Sequence, residues 1–189
     1  MQLKKIIFIF LLFIAGFCSF KWYDAYVNFR FKTITEGKVY KSGAIKPEKI
    51  ADFVAQHHIK SIIDLRGPVT HDTINNPEQP EEILAEKTAV EQLKTVNYFN
   101  IPSHQVPDAF TMKKFFEVMD NPDNYPVLIH CHHGIGRAQV YSALYRIEYE
   151  NFTNEQAREA TAFPLLFSSF DDGTPKGEFL KNYKKRNQK

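Results

Sequence analysis

The stretch YPVLIHC, residues 125–131, limits the fold of this chain more than any other. Its apolar run is short and continuous, without polar alternation, the pattern of a strand at the centre of a sheet covered on both faces. Such a strand needs strands beside it and helices above and below it. IKSIIDLRG reads as a second buried strand ended by Gly67, VNYFNIP as a third, and Val39 and Tyr40 within GKVYKSG as an edge strand. Between them, KPEKIADFVAQHH predicts a short amphipathic helix, with Pro47 in its first turn and Ile50, Phe53 and Val54 on one face. A polar, proline-bearing loop from Pro68 to Pro80 leads into a helix from about Glu81 to Leu93 that carries Ile83, Leu84, Val90 and Leu93. AFTMKKFFEVMD forms the next helix. Strands alternating with helices at these spacings give an α/β fold class, with a central, mostly parallel sheet flanked by helices.

The apolar strand runs straight into HCHHGIGRA, residues 130–138. A helix starts near Arg137, where Val140, Leu144 and Ile147 recur at helical spacing. The loop therefore lies at the carboxyl end of a strand and the amino end of a helix, where open α/β sheets bind ligands. A loop wound tightly there turns successive backbone N–H groups inward, and the helix terminus adds positive potential. Gly134 and Gly136 are expected to take backbone conformations closed to other residues and to leave room for an oxyanion. Arg137 is placed to grip two phosphate oxygens with its planar fork. Cys131, at the base of this cradle, is then a thiolate beneath a bound phosphate, in line with the leaving oxygen. The competing reading is a small buried hydrophobe after a core strand. A cysteine and an arginine framing two glycines, in a strand–loop–helix context, is far more demanding and favours the nucleophile.

Composition bounds the rest. With 189 residues, 43% of them hydrophobic and 24% charged, and a formal net charge of +2, the chain is globular, neither disordered nor built for nucleic acid. Cys18 and Cys131 are the only cysteines, and Cys18 lies in an apolar segment, so no disulfide forms within the domain. That segment, residues 6–20, follows Lys4 and Lys5 and is broken only by Gly16 and Ser19. Lys21 can snorkel, and Trp22 and Tyr23 suit an interface. A signal peptide shares the basic and apolar regions. Against cleavage, no small-x-small site follows Gly16, and Phe17 rules out Cys18 as a lipoprotein cysteine. Residues 1–23 are expected as an N-terminal membrane anchor, with a signal segment as the alternative, and residues 24–36 as a connector. Lys4 and Lys5 favour a cytoplasmic N-terminus, but Lys21, Arg30 and Lys32 weaken the asymmetry, so the side of the membrane stays open.

HCHHGIGR resembles the HC-x5-R signature of cysteine-dependent protein tyrosine and dual-specificity phosphatases. GKVYKSG, IKSIIDLRG, VNYFNIPS, YPVLIHCHHGIGR and SALYRIEYENFTNEQARE are similar to stretches of the small bacterial phosphatases of that superfamily, in the same order, over about residues 37–160. The resemblance implies a phosphatase domain over residues 37–189, with a four- or five-stranded sheet and a phosphatase-type P-loop. It implies phosphate monoester hydrolysis through a phosphocysteine intermediate, without metal or cofactor. Cys131 would be the nucleophile, Arg137 the phosphate clamp, and His132, His133, Gly134, Ile135 and Gly136 the amide cradle. Joined to the anchor, it implies a phosphorylated protein substrate at a bacterial inner membrane.

Two positions depart from the family pattern. Many members carry Ser or Thr directly after the arginine, where the hydroxyl stabilises the departing thiolate; here Ala138 stands, as in the phosphatases of regenerating liver. The general acid, usually a mobile aspartate, is expected near Ser103 or His104, and the only acid nearby is Asp108. Asp108 is the candidate general acid, yet it follows Pro107 and precedes an apolar-periodic helix, where capping preference alone explains it and the N-cap is the favoured reading. His104 is a second candidate.

Other residues carry lighter expectations. His130 orders the loop or simply packs, and Asp64 with Arg66 forms a strand-end ion pair. His132 and His133 lack a second ligand cluster at metal spacing. Asp171 and Asp172 fit a turn, with an outside chance of supplying the acid. Thr153 with Gln156 fits a capping box, and residues 181–189 a solvated basic tail able to touch anionic lipid. The leading function is a membrane-anchored protein tyrosine or dual-specificity phosphatase. The alternatives are a phospholipid or phosphoinositide phosphatase, although no lysine inside the loop supplies charge for a polyanionic headgroup, and a slow or inactive phosphate-binding module. A sulfurtransferase is more distant.

Overall fold

Parallel strands buried on both faces alternate their side chains between two helical layers, and β5 (Val127–His130) does so residue by residue. Val127 and Ile129 enter one core; Leu128 enters the other. The computed structural model describes residues 2–67, 77, 79–161 and 168–186. Most of the loop from Pro68 to Pro80, and the last three residues of the basic tail, lie outside them.

The sheet has five strands, in the order β1 (Lys32–Thr35), β2 (Val39–Ser42), β5, β3 (Ser61–Asp64), β4 (Asn97–Asn100). All neighbours are parallel except β1 and β2. The central strand is indeed β5, and its register sets His130 opposite Ser42 on one side and Asp64 on the other. Two expectations change at the other end of the sheet. Residues 32–35, inside the stretch read as connector, form β1, and β2 is therefore an inner strand rather than an edge. The cause is local: Gly37 takes a positive φ of 67°, which lets the chain turn back, and Lys38 N–H bonds to Thr35 O at 3.0 Å.

One face of the sheet carries α2 (Pro47–His57) and α3 (Pro80–Gln92), packed through Ile50 and Val90 on Tyr40, Ile62 and Leu128. The other carries α4 (Ala109–Met119), α5 (Arg137–Tyr149), α6 (Asn154–Thr161) and α7 (Pro175–Lys181), around Phe115, Tyr141 and Leu144. In α3 the apolar residues give an incomplete account of the buried face: Leu84 is exposed, and Glu86 turns inward, one helical turn before Val90. Thr153 and Gln156 do form the capping box before α6, at 2.9 and 3.2 Å. The basic tail is not simply solvated. Arg186 pairs with both Asp120 oxygens at 2.9 and 3.0 Å, reaches buried Glu148 at 3.2 Å, and lies over the Phe116 ring.

Ahead of the sheet, α1 (Gln2–Tyr26) is a single 25-residue helix with no buried residue, long and apolar enough to cross a membrane. Phe29, three residues beyond it, is buried beside Tyr40 and Ile45.

Candidate active site

Cys131 follows β5 without a break and is 3% exposed. The N–H of Gly134 turns back and donates to its Sγ at 3.2 Å. That return needs glycine. Gly134 has φ +70°, and a Cβ there would lie 2.4 Å from Gly43 N and 2.6 Å from Ser42 C, backbone atoms that cannot yield. Gly136 differs from expectation. Its φ is −119°, outside the left-handed region, and a Cβ would meet the ends of two flexible side chains, Gln105 Oε1 at 2.8 Å and Lys176 Nζ at 3.4 Å. The turn between β2 and α2 braces the loop from beneath: Ala44 N–H bonds to His132 O at 3.0 Å. Ile135 stands out at the tip, 53% exposed. Arg137 opens α5 and is buried, with NH1 donating to Leu65 O at 2.9 Å, so its guanidinium is tied to the residue that follows β3.

Three cations that the sequence reading did not assign to the loop converge on it. Lys41 of β2 is buried and donates to Gly134 O at 2.7 Å. Its burial, then the charge of Lys32, bring its pKa down to about 8, with Cys131 pulling the other way. Arg30 donates to His133 O at 2.9 Å. Lys176, in the first turn of α7, bonds to Gln105 Oε1 at 3.1 Å; burial lowers its pKa while Cys131 raises it, which puts the ammonium in the field of the cysteine. A lysine between Tyr40 and Ser42 in a wholly buried strand was a readable signal for Lys41. Nothing in the sequence signals Lys176, whose place depends on how α7 packs.

Beneath the loop, on the α3 side, lies a buried polar network. Asp64 and Arg66 form the expected pair, with Nε at 3.0 Å from Oδ1 and NH2 at 2.8 Å from Oδ2. Glu86, not singled out in the sequence, joins them: it also pairs with the Arg66 guanidinium, and its Oε1 is 2.8 Å from His130 Nε2. Tyr98 donates to Asp64 Oδ2 at 2.6 Å, and Asn100 bonds to the carbonyls of Asp64 and Arg66. Burial works against a charged imidazole, but Glu86 and then Asp64 outweigh it and His130 titrates above its ordinary value. Burial likewise pushes Asp64 up, yet His130 and Arg66 hold its carboxyl below the usual range. One ligand atom each from Asp64, Glu86 and His130 lie within 4.8 Å of one another, a spacing that suits a metal. Arg66 holds both carboxylates, so the cluster already has a resident cation.

The candidate acids are held in structural roles. Asp108 caps α4, accepting from Thr111 N–H at 2.7 Å within a capping box, and that bond holds its carboxyl below the ordinary value. Asp171 accepts from Ser168 N–H at 2.8 Å, and Asp172 faces Arg158 and Lys181 at 3.6 and 3.4 Å. Ser103 is buried and accepts from Tyr141 OH at 2.8 Å. The structure thus brings together Cys131, the cradle and Arg137, and sets Asp108 at a helix end, bonded to its own helix.

Comparison with known proteins bears on the family and the fold. Residues 26–170 match the family model described as DSP-PTPase phosphatase fused to NAD+ kinase. No curated protein sequence matches the chain. Among solved structures, the core catalytic domain of the PP-IP phosphatase SIW14 from S. cerevisiae, in complex with citrate, is 22% identical with a TM-score of 0.59, over 82% of this chain and 85% of that one. P. aeruginosa TpbA is 17% identical with a TM-score of 0.57, over 83% and 86%. A cysteine-to-serine variant of TpbA in complex with phosphotyrosine is 16% identical with a TM-score of 0.53, over 81% and 89%. At these identities the likeness is one of fold.

Proposed function

We propose, from the premise that the chain belongs to the DSP-PTPase family whose model it matches over residues 26–170, that it hydrolyses phosphate monoesters through a phosphocysteine on Cys131. In the first step the sulfur attacks phosphorus, an S–P bond forms, the P–O bond to the leaving group breaks, and the leaving oxygen takes a proton. In the second, water attacks phosphorus, and the products are inorganic phosphate and the free cysteine. Arg137 clamps two of the phosphate oxygens, and the amides of residues 132–136 face the charge that builds in the transition state. Asp108 is the remaining carboxyl on the β4 side; to serve as the acid it must leave its Thr111 cap. The observation that carries this reading is the sulfur of Cys131, 3.2 Å from the Gly134 amide, at the joint of β5 and α5 with Lys41 and Lys176 in its field.

The substrate we favour is a phosphorylated protein, tyrosine or dual-specificity in class, met at a bacterial inner membrane by a domain that α1 anchors. The solved TpbA complex contains phosphotyrosine, which supports that class. The test is turnover of p-nitrophenyl phosphate by the full-length protein in detergent micelles. Cys131→Ser is expected to abolish it, and Arg137→Ala to lower it about a hundredfold or more. Turnover that survives Cys131→Ser defeats the mechanism. N-terminal sequencing of the mature protein that begins beyond residue 19 defeats the anchor.

A further inference from the structure

The first step of the proposed reaction needs a proton for the leaving oxygen. The three carboxylates that the sequence offers for it are held elsewhere, Asp108 on Thr111, Asp171 on Ser168 N–H, and Asp172 facing Arg158 and Lys181. A lysine stands at the cradle instead. Lys176 lies in the first turn of α7, and the fold fixes that turn closely. Thr174 caps it, accepting from Gly177 N–H at 3.1 Å and donating to Asp171 O at 2.7 Å. Only glycine permits the approach, since a Cβ at Gly177 would lie 2.1 Å from Asp171 O. Lys176 Nζ lies 5.3 Å from the centre of the buried Phe170 ring and reaches Gln105 Oε1 at 3.1 Å. Both polar groups stand over Gly136, the last residue of the cradle, where a Cβ would be 2.8 Å from Gln105 Oε1 and 3.4 Å from Nζ. The bare Gly136 therefore leaves no side chain between the ammonium and the loop. Gln105 belongs to the segment between β4 and α4, next to His104, where the family pattern places its aspartate. Burial lowers the Lys176 pKa, Cys131 raises it and Arg137 lowers it, so the ammonium lies in the field of both groups that handle the phosphate.

We propose that Lys176, oriented by Gln105, is the proton donor to the leaving oxygen. The proposal rests on the catalytic reading of Cys131 and supplies the proton that reading requires. As the S–P bond forms and the P–O bond breaks, the electron pair of the P–O bond passes to the leaving oxygen, which takes a proton from Nζ. Phosphocysteine, a neutral phenol and a neutral amine result. In the second step the water that attacks phosphorus gives a proton to that amine, which restores the ammonium and releases inorganic phosphate and the thiolate. Burial drives the first transfer, because an ammonium sheds its charge on giving up the proton. Lysine and tyrosine ordinarily titrate at about 10.4 and about 10, so a lysine made more acidic by burial is matched to a tyrosine oxygen.

Full-length protein in detergent micelles is compared with Lys176→Gln, Lys176→Arg and Gln105→Ala. The substrates are aryl phosphates graded by the acidity of the phenol, from dinitrophenyl phosphate, whose phenolate leaves without a proton, to phenyl phosphate and a phosphotyrosine peptide. Lys176→Gln is expected to lower kcat/KM about a hundredfold for the last two and less than about twofold for the dinitrophenyl ester. Arginine keeps the charge but holds its proton, so Lys176→Arg is expected to follow glutamine. Gln105→Ala is expected to lose about tenfold on the same two substrates. Should Lys176→Gln melt early, Lys176→Arg carries the comparison. A loss of equal size for every phenol, no loss, or full activity in Lys176→Arg overturns the donor. So does a dependence on the phenol that steepens in Asp108→Asn and not in Lys176→Gln. A wild type that turns over none of the series, the dinitrophenyl ester included, sinks the catalytic reading and the donor with it.

Discussion

Replacing Glu86 with glutamine removes the carboxylate nearest His130, 2.8 Å from its Nε2, which also pairs with Arg66. Glutamine keeps the shape, so the perturbation is mainly of charge. All four network residues, Asp64, Arg66, Glu86 and His130, are no more than 2% exposed, so water cannot replace the lost charge. Breaking a buried ion pair by removing one partner costs about 3–5 kcal/mol. Arg66 keeps its two bonds to Asp64, which places Glu86→Gln near the lower end, about 3 kcal/mol. For a domain of this size that lowers Tm by about 6–12 °C. The pH dependence carries a sign. His130 titrates above its ordinary value in the folded protein, so its stabilising contribution is complete below about pH 6.5 and fades as pH rises through the raised value. The wild type is therefore expected to lose stability on that rise, and Glu86→Gln to show a flatter profile from a lower start. Thermal unfolding of the full-length protein in micelles, followed by circular dichroism from pH 5.5 upward, measures both. A Tm within about 2 °C of wild type with an unchanged pH profile would refute the network as described.

Three further outcomes follow from the same geometry. Gly134→Ala forces a side chain onto a positive φ and into the backbone at the end of β2, 2.4 Å from Gly43 N and 2.6 Å from Ser42 C; it is expected to cost several kcal/mol, on the order of 3 or more, in urea unfolding and to abolish turnover. Ala138 is fully buried, so Ala138→Ser, not the larger threonine, is the substitution that adds a hydroxyl at the helix start. If breakdown of the phosphocysteine limits the rate, rapid-mixing kinetics will show a burst in the wild type and a steady-state rate about tenfold to a hundredfold higher in the serine variant. Asp108→Asn preserves a capping side chain and is expected to stay within about 0.5 kcal/mol of wild type, whereas Asp108→Ala costs about 1 kcal/mol. A loss of turnover confined to poor leaving groups would give Asp108 the role of acid as well.

The central strand, the loop and the helix after it were legible because each rests on a short-range pattern. An apolar run of continuous type, a glycine where the chain must double back, and apolar residues at helical spacing all act within a few residues of where they stand. β1 escaped because KTIT has no buried alternation of its own; it becomes a strand only when β2 offers an edge. Glu86 escaped for the opposite reason. A glutamate on an amphipathic helix reads as solvated, and only the register of β3 against β5, which stacks Asp64 beside His130, makes a buried place for it. Lys41, Lys176 and Arg30 reach the loop from three separate parts of the chain, and no local pattern joins them. The capping role of Asp108 was legible, since capping is itself a local interaction.

The central claim is that phosphorus passes through Cys131. Acid-quenched full-length protein, sampled during turnover of a ³²P-labelled aryl phosphate and digested, tests it directly. The account predicts label on the peptide that contains Cys131, and none in Cys131→Ser, which turns nothing over. Turnover that proceeds with no labelled peptide, or label retained after Cys131→Ser, would contradict it.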